Sequence, residues 1–384
     1  MPRTLKIAAI QMDVAPAPTI ERLARAEHLV TQAAQAGAQL AVLPELFNTG
    51  YVYSDENFGR AERLEGPTVT WMRETAARLD VHLAGTLLLL DGTDIFNALL
   101  LFAPDGRMWR YDKNYPWAWE RGYFREGRGI TVAHTDLGDL GLMICWDAGH
   151  RDLWRQYAGQ VDLMLICSCP PDAGNPTYLF PNGDTVTAAD IGPAMAQMKN
   201  VAHQVFGEML NQQTAWLGVP LVNTVASGQF LSAIPNGRGV LLGILPTAPW
   251  LASYLPLASQ MQMTCGMTPA TKIVSAQGQT LAEVTQVQGE AFALAQVTLA
   301  DEKPQPTQTQ PRSLASPLAY LAADSLLPLL TLPTYSRGIR HAWGSHMAPT
   351  SLETRRWLPV VGASLVASLL AGILIGFGLR PRKS

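Results

Sequence analysis

Three short stretches put an ionisable or nucleophilic group at the end of an apolar run: Leu43-Pro44-Glu45-Leu46, Asp112-Lys113-Asn114-Tyr115-Pro116 and Leu142-Met143-Ile144-Cys145-Trp146-Asp147. A carboxylate, an amine and a thiol are the parts needed to attack a carbon–nitrogen bond. A free thiol has a pKa of about 8.5 and is mostly protonated near neutrality. It therefore needs a base to take its proton, and a cation or N–H donors to hold the oxyanion that follows attack. Glu45, Lys113 and Cys145 can fill these roles if the fold brings them together. Taken singly, each has an ordinary explanation: a buried structural cysteine, a surface carboxylate, a solvated lysine. Their joint occurrence, each closing a strand-like run, favours the catalytic reading.

The surrounding pattern alternates strands and helices. Residues 5–12 are apolar and β-compatible, Thr19 to Ala36 carries apolar residues at helical spacing up to Gly37, and Leu40 to Leu43 is a short buried strand ahead of Glu45. A helix over Thr68 to Leu79 and strands over Val81 to Leu90 and Ile95 to Phe102 follow, with turns at Asp91-Gly92 and Pro104-Asp105-Gly106. Leu140 to Ile144 is a strand ending at Cys145. Asp152 to Tyr157 starts a helix, Val161 to Cys167 is a strand, Ile191 to Leu217 a long helical stretch, and Val219 to Val225 a strand. Ile273 to Ala276 and Leu281 to Val284 form a hairpin, and Gly289 to Leu299 closes the series. Mixed crossovers and hairpins predict an α/β layered fold with a mixed sheet. Leu231 to Met263, with Arg238 as its one charge, reads as an inserted apolar loop or lid.

The chain has 384 residues, is 48% hydrophobic and carries a formal net charge of -3. It can bury a large core, and with no basic block or basic–aromatic repeat it is not a nucleic-acid binder. Its four cysteines lie in apolar or strand-like contexts rather than at the spacings of a disulfide framework, so reduced thiols are expected. Cys167 and Cys169 would share one face of a strand, but no second Cys or His pair follows, which argues against a metal site. The start of the chain does not read as a signal peptide, because Gln11 and Asp13 interrupt its short apolar run.

With the opening Ile7-Ala8-Ala9-Ile10-Gln11-Met12, the Pro44-Glu45-Leu46 motif, the Lys113 block and the Ile144-Cys145-Trp146-Asp147 elbow, residues 4–300 resemble the nitrilase superfamily, the carbon–nitrogen hydrolases. The resemblance implies a four-layer αββα sandwich over residues 1–300, usually dimeric or larger, acting on a small-molecule amide without a cofactor. It also implies a Glu45–Lys113–Cys145 triad, with Glu120, seven residues after the lysine, orienting Lys113 or the substrate. In the family mechanism Glu45 takes the thiol proton, Cys145 forms a thioester, and Lys113 with the Trp146 backbone N–H holds the oxyanion. Asp147 in place of Glu tilts the reading from nitrile towards amide or carbamoyl amide; nitrile hydrolysis, acyl transfer as in apolipoprotein N-acyltransferases, and an inactive scaffold remain the alternatives. Gly149 stands where many family amidases carry Arg, leaving His150 as a substitute or a packing residue, and the family's Arg-Ala-x-Glu-Asn helix motif is not evident near Met209 to Trp216. Tyr115, Trp117, Trp119, Tyr123 and Trp146 are candidates for an aromatic wall around an apolar acyl group. Arg125 and Arg128 are candidates to meet a substrate carboxylate.

Beyond residue 300 the composition changes. Residues 301–356 read as a Pro-rich linker followed by an apolar stretch, Leu314 to Leu332, broken by Pro317, Asp324 and Pro328, that could lie on a membrane surface. Trp357 to Leu379 is a long run without a charge, fenced by Arg355-Arg356 and by the basic tail 380–384. At about 1.5 Å per residue it exceeds the roughly 30 Å hydrocarbon thickness, and it reads as one transmembrane helix. The catalytic body is expected on the cytoplasmic side, with the protein held at the membrane by its C-terminus.

Overall fold

The computed structural model describes residues 3–192 and 198–348. Its strands are β1 (Arg3–Gln11), β2 (Leu40–Val42), β3 (His82–Asp91), β4 (Asp94–Phe102), β5 (Met108–Asp112), β6 (Val132–Thr135), β7 (Gly138–Ile144), β8 (Leu163–Cys167), β9 (Thr177–Leu179), β10 (Thr185–Thr187), β11 (Leu221–Thr224), β12 (Gln229–Ala233), β13 (Gln262–Gly266), β14 (Lys272–Val274), β15 (Thr280–Glu283) and β16 (Ala291–Leu299). Two six-stranded sheets have the orders β16-β1-β2-β3-β4-β5 and β15-β14-β11-β8-β7-β6. In each, a parallel trio (β1, β2, β3 in one; β7, β8, β11 in the other) is flanked by antiparallel strands. The trio strands are buried along almost their whole length, as parallel strands covered on both faces must be. Val42, Leu99, Leu142, Ile144, Leu165 and Val222 join one apolar cluster between the sheets. Helices Thr19–Gln35 and Pro67–Leu79 cover the first sheet from outside, and Arg151–Tyr157 with residues 201–217 cover the second. This is the expected α/β sandwich, helix on sheet on sheet on helix.

Three regions differ from the sequence reading. The long helix expected over Ile191 to Leu217 is interrupted: Gly192, at φ 88°, ends a short turn of helix, and the helix of residues 201–217 contains a π turn at Val205–Met209. The expected loop over residues 231–263 is ordered. It supplies most of β12, the start of β13 and helix Gly237–Ile244, and with β9 and β10 builds a four-stranded sheet that shares an apolar cluster with Tyr51, Phe58 and Trp119 of the body. Its inner side carries Phe230 against Tyr51 and Tyr53, while Ser232 Oγ accepts the Tyr53 N–H at 2.9 Å.

Residues 301–316, expected as a linker, have no regular structure but are tied to the body. Gln310 donates to Gln213 Oε1 and to the Arg151 carbonyl, Arg151 donates back to the Gln310 carbonyl, and the Trp216 indole donates to the Gln308 carbonyl. From Pro317 onward the stretch Leu314 to Leu332 lies in a helical segment, residues 317–343, packed on the body; Leu318 and Leu321 remain exposed on it. A π turn at Ala322–Leu326 immediately precedes Pro328, so the proline that looked like an interruption sits near the start of helix Leu327–Trp343. No helix among the described residues is long and apolar enough to cross a membrane. The span expected over 357–379 lies outside the described residues.

Candidate active site

Glu45, Lys113 and Cys145 follow β2, β5 and β7, so the ends of three strands deliver the groups to one place. Three residues at this place have left-handed backbone: Cys145 itself (φ 49°), Leu46 beside Glu45 (φ 50°) and Ala118 just before Trp119-Glu120 (φ 48°). Such a conformation costs a non-glycine residue about 1–3 kcal/mol and persists only where the surroundings enforce it. Around Cys145 the enforcing group is Asp147. Its carboxylate accepts the Ile144 N–H at 3.1 Å, the Tyr115 N–H at 2.8 Å and the Tyr111 hydroxyl at 2.8 Å, pinning the turn that follows β7. Burial pushes the Asp147 carboxyl up to about 6 while Lys113 and these donors pull it down.

The Lys113 ammonium is fully buried and sits between two carboxylates. Its Nζ lies 2.8 Å from Glu45 Oε1, and 2.9 and 2.7 Å from the two oxygens of Glu120. Burial opposes its charge, but Glu120 and Glu45 outweigh that and hold it protonated, well above the ordinary lysine value. Glu45 is pushed up to about 7, chiefly by burial, against the pull of Lys113. Glu45 Oε1 also accepts the Asn97 amide at 2.7 Å, whereas its buried Oε2 has no hydrogen-bond partner. The Cys145 thiol is close enough to perturb Glu45, which leaves Oε2 as the atom able to receive the thiol proton. Burial and the Glu45 charge push the thiol pKa well up, with Lys113 opposing, so the resting group is the thiol and not the thiolate. The backbone N–H of Cys169 is directed at the same sulfur. Residues Cys145–Gly149 form one 3₁₀ turn, and the first amides of a helical turn, that of Trp146 included, have no acceptor within it.

Glu120 is fixed in turn. The Tyr51 hydroxyl donates to its Oε1 at 2.5 Å, Tyr53 bonds Tyr51 at 3.1 Å, and the Trp117 N–H donates to its Oε2 at 2.6 Å. Asn97, Tyr51 and Tyr53 escaped the sequence reading. Asn97 had a signal, as the one amide inside the apolar run Ile95–Phe102; the tyrosines had none.

A narrow apolar cavity lies beside Cys145. Trp117 and Trp146 line it, with Pro170, Pro171, Met198, Val201, Phe206 and Ala319; no charged side chain does among the described residues. The other expected wall residues are used elsewhere. Tyr115 stacks on His150 at 3.5 Å between ring centroids and donates to Asp152, Trp119 packs edge-on against Tyr53, and Tyr123 stacks on Tyr53 and lies tilted against Phe58. The reason is the 3₁₀ turn at Ala118–Gly122, which turns its aromatic side chains into the core around Glu120. Arg125 pairs with Asp94 at 3.2 Å and lies over the Tyr335 ring, and Arg128 is exposed beside Asp91 and Arg110, so neither reaches the cavity. His150 is a packing residue, its pKa pushed down to about 3 by burial. Cys167 and Cys169 are buried and free, and no cluster among the described residues could hold a metal ion.

The profile of the carbon–nitrogen hydrolase family matches residues 6–304. The chain belongs to that family. Among curated carbon–nitrogen hydrolases and their kin, a nitrilase of Pyrococcus abyssi is 32% identical over 37% of this chain and 56% of its own length. The omega-amidase NIT2 of Danio rerio is 28% identical over 42% of this chain and 61% of its own. The chain thus spans a little over half the length of these relatives. Among solved structures, the hydrolase XC1258 of Xanthomonas campestris and an amidase from Nesterenkonia sp. each share 19% identity, with a TM-score of 0.54 over 78% of this chain and 91% of theirs. At that identity the likeness concerns the fold.

Proposed function

We propose that this carbon–nitrogen hydrolase cleaves linear amides of apolar carboxylic acids through a thioester on Cys145. The observation that carries the proposal is the buried Lys113 ammonium clamped by Glu45 and Glu120 beside a thiol that faces an uncharged cavity. Glu45 Oε2 takes the thiol proton as sulfur attacks the amide carbon. The carbonyl oxygen becomes an oxyanion, held by Lys113 Nζ and the Trp146 N–H. As the carbon–nitrogen bond breaks, Glu45 returns the proton to the leaving nitrogen, and ammonia or an amine departs. Glu45 then activates a water molecule that attacks the thioester, releasing the acid and restoring the thiol. Asp147 holds the nucleophile turn, and Glu120 holds Lys113.

A screen of linear amides, carbamoyl amino acids and nitriles for ammonia release tests this reading. The wild-type chain should turn over neutral alkanamides, and C145A should release no ammonia; a fully active C145A protein refutes it. The relatives named as nitrilase and omega-amidase support a carbon–nitrogen substrate. The uncharged lining supports a neutral acyl group.

The proposal includes a membrane anchor at 357–379 with the catalytic body in the cytoplasm, supported by the uncharged run and its basic flanks. The full chain should stay in the membrane pellet after an alkaline carbonate wash, and removal of residues 357–384 should release it. A dimer or larger assembly, as the family resemblance implies, should appear in light scattering of the detergent-solubilised protein.

A further inference from the structure

One part of the cavity wall comes from outside the stretch that the family profile matches. The profile ends at residue 304, yet Ala319 lines the cavity at Cys145 and is fully buried there. The segment that carries it is docked on the nucleophile turn at two points. The Tyr320 hydroxyl donates to the Gly149 carbonyl at 2.6 Å, and Asp324 Oδ1 accepts the Trp146 indole N–H at 2.8 Å. Its start is fixed as well: Ser316 Oγ accepts the Ala319 N–H at 3.2 Å, and Pro317 occupies the first helical turn. Ala319 is therefore held on a stiff support, and it lines the cavity together with Val201, Ala202 and Phe206 of the helix with the π turn. A side chain larger than this methyl group would project into the cavity.

We propose that Ala319 sets the length of the acyl group the cavity accepts, making the segment 317–326 a selectivity element. This rests on the reading of the cavity as an acyl site for neutral amides. Each methylene kept out of an apolar site costs about fourfold in transition-state binding, so loss of room for three methylenes amounts to about sixtyfold.

The test uses the full-length chain and a ladder of straight-chain alkanamides from propanamide to octanamide, read as kcat/KM for ammonia release. A319F should lower the hexanamide-to-propanamide ratio about sixtyfold, A319L should lower it less, and A319G should raise the ratio for octanamide. A ratio that stays at the wild-type value in A319L and A319G, or that falls equally for every chain length, overturns the proposal. A319L and A319G carry the test if A319F does not fold. A second readout separates this inference from the hydrolase reading. With 2-chloroalkanamides of the same ladder, sulfur bonds to C2, chloride leaves with the bonding electrons, and the thiol proton passes to Glu45. Intact-protein mass then reports the rate of labelling at Cys145 without hydrolysis. If the wild type labels but releases no ammonia from any amide, the hydrolase reading fails. The labelling ladder still decides for or against Ala319.

Discussion

Replacing Glu120 by Gln perturbs the clamp with little change of shape. The side chain keeps an acceptor for the Tyr51 hydroxyl or the Trp117 N–H, and Lys113 keeps Glu45 at 2.8 Å, but one of its two buried counter-charges is gone. A hydrogen bond to a charged group contributes about 1.5–3 kcal/mol, and removal of one partner of a buried pair costs about 3–5 kcal/mol. With Glu45 still in place the lower part of that range applies, about 3 kcal/mol, or on the order of a hundredfold in kcat/KM. The pH profile is the sharper readout. Glu120 raises the Glu45 pKa, which stands at about 7, and it raises that of Lys113. Removal of its charge lowers both. The acid limb of kcat/KM, set by ionisation of the base Glu45, should move to lower pH, and the alkaline limb, set by the Lys113 ammonium, should move the same way. Ammonia release from a neutral alkanamide, followed from acidic to alkaline pH, gives both limbs. An E120Q protein within about threefold of the wild type, or an acid limb displaced upward, would refute the clamp as the source of the Lys113 and Glu45 protonation states.

Asn97→Ala removes the 2.7 Å bond to Glu45 Oε1 and should lower kcat/KM by about tenfold to a hundredfold, seen in steady-state kinetics. Burial raises the Asp324 carboxyl from its ordinary value to about 6, so the folded state loses stability as pH rises through that value. Asp324→Asn keeps the acceptor for Trp146 and removes that loss. It should raise the thermal midpoint at alkaline pH, with the gain shrinking as pH falls towards the ordinary Asp value. A Cβ at Gly338 would collide with the Phe58 ring, so Gly338→Ala should overpack the seat of helix Leu327–Trp343 and destabilise by about 1–3 kcal/mol, read from the urea midpoint.

The meeting of Glu45, Lys113 and Cys145 and the layered fold were legible in the sequence because each of these groups closes an apolar strand, and strand periodicity is a local signal. Glu120 was legible only through the family resemblance. What stayed hidden depends on contacts distant in sequence. Tyr51 meets Glu120, and Tyr53 bonds Tyr51, beneath a sheet that residues 231–263 help to build, and that stretch, poor in charge and short in period, looked like a loop. The aromatic cluster around Lys113 was seen as one wall, but the positive φ at Ala118 redirects the side chains that follow, leaving Trp117 at the cavity and Trp119 and Tyr123 in the core. Asp324 was read as a break in an apolar stretch. Its role as the acceptor for the Trp146 indole appears only when residues 317–343 fold back onto the nucleophile turn.

The most direct test of a covalent role for Cys145 is acid-quenched mass spectrometry of the full chain during turnover of a neutral alkanamide. The account predicts a transient mass gain equal to the acyl group, mapped to the peptide bearing Cys145, that decays as the acid is released. Ammonia release with no acyl mass on that peptide at any time, and with the same rate in C145A, would contradict it.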